Sequence, residues 1–111
     1  MPERTETGLQ QWQRCTSALG GEGLPCALVD LEAFDRNAAA LLGAARAAGK
    51  TVRLATKSVR VPDLLRRLQD SAPGVAKGLL TFTAAETALL AEQGVPGRAY
   101  TYGGERAGPR G

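Results

Sequence analysis

The segment VRLATKSVRVP, residues 52–62, decides the fold class predicted for this chain. Its first four residues have the length and apolar character of a buried β-strand, and Pro62 suits the first turn of a helix. Lys57 lies between these two elements. In parallel α/β folds, ligands and catalytic groups collect at the carboxyl ends of strands. A lysine held there against apolar walls can be neutral and can then form a Schiff base, so Lys57 is a candidate catalytic residue.

The same pattern of a strand followed by a helix occurs on either side of this segment. Residues 26–29 and 79–82 are apolar runs of strand length, and each is followed by a helix signal. Asp30 is a candidate N-cap for a helix with a clear apolar stripe that ends at Gly49, and residues 83–86 have the form of a capping box. Three alternations with short connections predict right-handed crossovers and a parallel sheet.

The two ends of the chain have different patterns. Leu9, Trp12 and Leu19 recur at helical spacing before Gly20, so a short N-terminal helix that covers part of the core is predicted. Residues 97–102 could begin a fourth strand. Residues 103–111 have no apolar periodicity, and we expect them to be disordered.

Composition narrows the classes of function. The chain has 111 residues, a net charge of +3, no histidine and two cysteines, Cys15 and Cys26. The absence of histidine excludes the usual zinc-ligand sets and a Ser-His-Asp triad within this chain. Scattered arginines with few aromatic residues disfavour a nucleic-acid partner, and no window predicts a membrane span. The polar N-terminus is unlike a signal peptide, so reduced thiols and a cytoplasmic location are expected.

Four further polar residues were weighed against simpler structural explanations. Arg60 lies near a predicted helix N-terminus, where an anion is favoured, but a solvated loop arginine fits equally well. Thr56 and Ser58 could donate hydrogen bonds to a phosphate or carboxylate, although ordinary turn chemistry explains them better. Glu86 could act as a general base, but the capping box is the better explanation for it.

Three runs in the order PCALVDLEAFDRN (25–37), RLATKSVR (53–60) and GLLTFTAAE (78–86) resemble a known family. They resemble the N-terminal, alanine-racemase-like barrel of fold-type III pyridoxal-phosphate proteins. Within that group the chain is most similar to the D-threonine aldolase, D-serine dehydratase and amino-acid deaminase branch. The resemblance covers residues 24–95.

This resemblance implies a fold, a cofactor and a reaction. The fold would be a partial (β/α)₈ barrel of about three βα units, since the whole barrel takes about 250 residues. Residues 1–23 would be an N-terminal helical extension, 24–96 the barrel portion and 97–111 an aberrant tail. Lys57 would form the Schiff base with pyridoxal phosphate. Arg60, because of its place near a helix N-terminus, is the further candidate for cofactor binding. The expected activity is aldol cleavage, dehydration or deamination, or racemisation of a small amino acid of D configuration.

Other properties of the family have no counterpart in this chain. The family's phosphate-binding loops, and the metal ligands of its aldolase and dehydratase members, follow the part that the chain resembles, so no residue here is assigned to them. Members of the family form homodimers. We therefore expect an N-terminal fragment with little activity alone, and we attribute the change of composition after Gly94 to truncation or a shifted reading frame.

Two alternatives remain open. The chain could belong to a non-catalytic pyridoxal-phosphate carrier, since such proteins are single-domain barrels with a lysine at a strand end. It could instead be a stand-alone α/β interaction module that completes its sheet by self-association.

Overall fold

The computed structural model describes residues 5–95 and the backbone of two short strands beyond them, Ala99–Thr101 and Arg106–Ala107. The chain divides into two compact units, Met1–Glu32 and Ala33–Gly111. The helices are α1 (Gly8–Leu19), α2 (Leu31–Ala47), α3 (Pro62–Ser71) and α4 (Ala84–Glu92), and the strands are β1 (Val52–Ala55), β2 (Ala76–Thr81), β3 (Ala99–Thr101) and β4 (Arg106–Ala107). Among the described residues, no helix combines the length and the apolar character needed to cross a membrane.

The first unit contains α1, whose ends are defined by local chemistry. Thr7 and Gln10 form a capping box, in which the Gln10 N–H donates to Thr7 Oγ1 at 3.1 Å and the Thr7 N–H donates to Gln10 Oε1 at 3.0 Å. Gly20 ends the helix with a φ of 53°, a conformation that favours glycine. No residue of α1 is buried.

Residues 26–29 do not form the predicted strand. Leu28 and Val29 are each 45% exposed, and the sheet consists of β1, β2, β3 and β4. A strand needs a neighbour that satisfies its backbone hydrogen bonds, and an apolar run of suitable length does not supply one. Asp30, which follows this run and precedes α2, has its Oδ2 atom 3.0 Å from Arg14 Nη2.

The second unit is a mixed α/β structure whose sheet has the strand order β1-β2-β3-β4. The pairs β1–β2 and β2–β3 are parallel, and β3–β4 is antiparallel. Helices α3 and α4 make the two crossovers, which confirms the predicted α/β class with parallel strands. β1 has the predicted bounds, whereas β2 begins at Ala76, earlier than the predicted start at Leu79.

The C-terminal predictions fall partly outside the described residues. β3 lies within residues 97–102, where a further strand was anticipated, and β4 lies within residues 103–111, which were expected to be disordered. The other residues of 97–111 lie outside the part of the chain that the structure describes.

The core of the second unit combines side chains from the sheet and from its helices. Leu54 and Leu79 contribute from paired positions of β1 and β2, while Leu65 from α3 and Leu90 from α4 cover them. Leu65 is fully buried and Leu79 is 1% exposed. Because β1 and β2 are held by this core, the segments that follow their carboxyl ends are fixed in position relative to one another.

Candidate functional site

A cleft of about 400 Å³ lies at the carboxyl ends of β1 and β2. Its lining includes Thr56, Arg60 and Pro62, which follow β1, and Phe82, Glu86 and Leu89, which follow β2. These residues meet because parallel strands end at the same edge of a sheet. The cleft therefore occupies the place where chemistry was predicted from residues 52–62.

Lys57 lies in a tight turn directly after β1. The Ser58 N–H donates to the Ala55 carbonyl at 3.2 Å and the Val59 N–H donates to the Thr56 carbonyl at 3.1 Å, so Lys57 is enclosed by two overlapping turns. Its side chain is exposed. Apolar walls therefore do not enclose Lys57 in the described structure. Lys57 adjoins Thr56 in the chain but is not among the described residues that line the cleft.

Arg60 is exposed and lines the cleft. It precedes α3, in which Pro62 occupies the first turn and Val61 is the N-cap. The Val61 carbonyl accepts hydrogen bonds from the Leu64 and Leu65 N–H groups, and Pro62 has no N–H, so this helix end leaves few donors for a ligand. Arg60 thus contributes a positive charge to the lining of the cleft.

Thr56 is a structural link between the two strands. It is 1% exposed, its N–H donates to the Leu80 carbonyl at 3.0 Å, and its Oγ1 lies 3.2 Å from the same oxygen. The hydroxyl thus bonds across the sheet. This extends the turn chemistry that the sequence favoured, because Thr56 fixes the start of the Lys57 turn to β2.

Glu86 is the cleft residue whose position the sequence did not indicate. The Glu86 N–H donates to Thr83 Oγ1 at 3.1 Å, which is half of the expected capping box. The Glu86 carboxylate instead accepts a hydrogen bond from the Phe82 N–H, at 2.9 Å from Oε2. The capping signal therefore predicted the helix start correctly, but only the packing of α4 beside the β1 loop shows that this carboxylate reaches the cleft.

The electrostatic environment of Glu86 favours its ionised form. Partial burial alone would raise the pKa of this carboxyl group, but the nearby Thr56 hydroxyl, the hydrogen bond from the Phe82 N–H and the positive charge of Arg60 together outweigh that effect. The net result is a pKa below the ordinary glutamate value. Glu86 is therefore a carboxylate at neutral pH, in the lining of the same cleft as Arg60.

A second cleft, of about 450 Å³, lies between α2 and α3. Asp35 and Arg67 line it and form a bidentate ion pair, with both nitrogen–oxygen distances at 2.7 Å. The hydrogen bond from Arg67 lowers the pKa of Asp35. These opposite charges satisfy each other, so we assign the pair to the contact between two helices and not to a ligand site.

Within the part of the chain that the structure describes, no cluster of three or more His, Cys, Asp or Glu side chains could hold a metal ion. Comparisons with models of known protein families, with curated proteins and with solved structures found no match. The function of this chain is therefore inferred from the cleft and from residues 52–62.

Proposed function

We propose that this chain carries the lysine-bearing part of a pyridoxal-phosphate site, with Lys57 as the residue that bonds covalently to the cofactor. The proposed parent protein is a fold-type III enzyme that performs aldol cleavage, dehydration or deamination, or racemisation of a small amino acid of D configuration. The observation that carries the proposal is the position of Lys57, directly after the carboxyl end of β1 and next to a residue that lines the cleft.

The order of elements is compatible with a portion of a (β/α)₈ barrel. β1, α3, β2, α4 and β3 follow one another in the chain, and the three strands are parallel neighbours in that order. In such barrels, active sites are built from the loops at the carboxyl ends of the strands. We propose that residues 52–101 represent consecutive units of this barrel.

The described side chains match three chemical features of pyridoxal phosphate. Its aldehyde requires an amine, which the exposed Lys57 offers. Its phosphate requires a cation, which Arg60 provides in the lining of the cleft. Its aromatic ring requires apolar surface, and Phe82 and Leu89 are 62% and 54% exposed in the cleft region.

Each residue then has a defined task. When bound, the cofactor supplies an electron sink for breaking a bond at the substrate's α-carbon. Lys57 supplies the covalent attachment point, and the two turns around it restrict where its backbone can lie. Arg60 binds the phosphate end and so fixes the orientation of the ring relative to Lys57.

The test is the selectivity of cofactor attachment among exposed lysines. The purified chain is incubated with pyridoxal phosphate and reduced with borohydride, and the labelled lysine is identified by mass spectrometry beside an absorbance titration. Lys50 and Lys77 are also exposed, so they are matched controls inside the same chain. We expect label mainly on Lys57 and a visible absorbance band that is lost in Lys57→Ala but kept in Lys50→Ala and Lys77→Ala.

The opposite result is equally clear. Equal labelling of the three lysines, with no loss of absorbance in Lys57→Ala, would mean that the cofactor reacts with surface amines in general. The proposed function would then be rejected, because exposure alone would explain the reaction.

A further inference from the structure

The cleft between α2 and α3 contains two charged side chains besides the Asp35–Arg67 pair. Arg46, in the last turn of α2, and Asp70, in the last turn of α3, both line this cleft, and both are exposed. Neither of them forms an ion pair with another residue that the structure describes. The cleft therefore presents a cation from one helix and an anion from the other, and the described fold uses neither charge.

The position of Asp70 is unfavourable for the helix that contains it. The C-terminal end of an α-helix has a partial negative charge, which repels a carboxylate. Within Pro62–Ser71, all of which the structure describes, the last turn contains no basic residue to offset this repulsion. Ser71 Oγ donates to the Leu68 carbonyl at 2.7 Å, so its lone pairs remain able to accept a hydrogen bond. Asp70 and Ser71 together suit a ligand cation.

Gly43 is a second residue whose type is not explained by its helix. It lies inside α2, where glycine is less favourable than alanine. A Cβ atom added to Gly43 would meet no described heavy atom beyond the adjoining helix backbone within 4 Å, so close packing does not require glycine here. Gly43 also lines the cleft. Two residues that weaken their own helices thus lie in one cleft, and such local conflicts are typical of functional sites.

The rest of the lining provides apolar surface. Leu42 and Ala72 are both buried and both line the cleft, and Ala39 lies one helical turn before Gly43. The volume of about 450 Å³ lies within the range of small-molecule sites, which combine apolar surface with a few polar groups. An apolar group fits against the buried side chains of this lining, while charged groups fit at Arg46 and Asp70.

We propose that this cleft binds a free amino acid with an apolar side chain. Arg46 binds the carboxylate of the amino acid by charge-assisted hydrogen bonds. Asp70 and Ser71 bind its ammonium group, and its side chain lies against Leu42 and Ala72. This binding site is independent of the proposed function, because the cleft shares no lining residue with the one at the carboxyl ends of β1 and β2.

The first test uses the unmodified chain, titrated with leucine and two analogues while amide shifts are followed by NMR. Isocaproate lacks the ammonium group of leucine, and isoamylamine lacks its carboxylate. We expect saturable shifts at Gly43, Arg46 and Ser71 with leucine, and about tenfold weaker binding of each analogue, because each leaves one charge of the cleft without a partner. Equal binding of all three compounds, or no saturable shift with leucine, would overturn the proposal.

Matched variants then test the individual residues. Arg46→Gln should weaken leucine binding about tenfold, whereas Arg36→Gln should leave it unchanged, since Arg36 is an exposed arginine of the same helix outside the cleft lining. Gly43→Ala keeps both charges and should weaken binding while it raises the melting temperature, because alanine favours the helix and its methyl group occupies the open wall. Leucine binding that is unchanged in both Arg46→Gln and Gly43→Ala would contradict the proposed site.

Discussion

Two four-residue runs in this chain have the same length and the same residue, leucine, at the third position. CALV (26–29) is entirely apolar, whereas VRLA (52–55) contains an arginine. By composition alone the first run is the better candidate for a buried strand. In the structure only the second run is a strand. Leu54 in this strand is 8% exposed, whereas Leu28 in the first run is 45% exposed.

The difference lies in the partners of the two runs. The Val52 N–H donates to the Val75 carbonyl at 2.7 Å and the Thr56 N–H donates to the Leu80 carbonyl at 3.0 Å, so both ends of the second run are bonded to β2 or its approach. Residues 26–29 belong to none of the four strands of the sheet. Apolar character makes a run suitable for burial, but pairing with a second segment decides whether it becomes a strand.

The largest expected effect on stability comes from comparing Leu54 and Leu28, the leucines at the third position of the two runs. Leu54→Ala should lower the free energy of unfolding by about 2–5 kcal/mol, because it leaves a cavity in the core beside Leu79. Leu28→Ala should change it by about 0.5 kcal/mol or less, since this side chain is 45% exposed and lies in no strand. Urea denaturation of both variants and the unmodified chain would measure the difference. Equal losses would show that residues 26–29 are packed as tightly as β1.

A smaller effect on stability is expected at the N-cap of α4. Thr83 caps α4 directly after β2, with its Oγ1 accepting the Glu86 N–H, so Thr83→Ala should cost about 1 kcal/mol of stability. Thr51→Ala is the control, because Thr51 is exposed and lies just before β1. Thermal denaturation followed by circular dichroism would compare the two. A cost for Thr51→Ala as large as that for Thr83→Ala would contradict a specific capping role.

The smallest predicted effect concerns the pH dependence of stability and the hydrogen bond from the Phe82 N–H to the Glu86 carboxylate. The pKa of Glu86 in the folded chain lies below its ordinary value of 4.5, so its contribution to stability is complete above that value and is lost as the pH falls through the folded pKa. The unfolding free energy of the unmodified chain should therefore decline more steeply below about pH 5 than that of Glu86→Gln.

Asp35 also has a lowered pKa because of Arg67, but both proteins retain that pair. The difference between their pH profiles thus isolates Glu86. Parallel profiles would indicate that Glu86 has the same pKa in the folded and unfolded chain.

Local chemistry made parts of the fold predictable. α2, α3 and α4 begin and end near the expected residues, since caps, a proline in the first turn and glycines after the last turn act within a few positions of the chain. β1 was also predicted correctly. The start of β2 was not, because Ala76 and Lys77 lack strand character and are in the ladder through the pairing of Val52 with Ala76.

Some residues of the candidate site were also predictable from the sequence, and others were not. Arg60 and the end of β1 were identified from the order of strand, lysine, arginine and proline in residues 52–62. The reach of the Glu86 carboxylate was not, because it depends on α4 lying beside the β1 loop. The sequence pattern placed Lys57 after β1 but did not state which side chains surround it.

The sequence by itself determined where helices begin and end, which strands are linked by helices, and that a lysine follows the carboxyl end of β1. These features depend on interactions between residues close together in the chain. Only the tertiary structure decided which apolar run became a strand and which polar groups meet in the cleft. Hydrogen bonds between strands and charge pairs across a cleft form between distant segments, and their strength depends on how those segments pack.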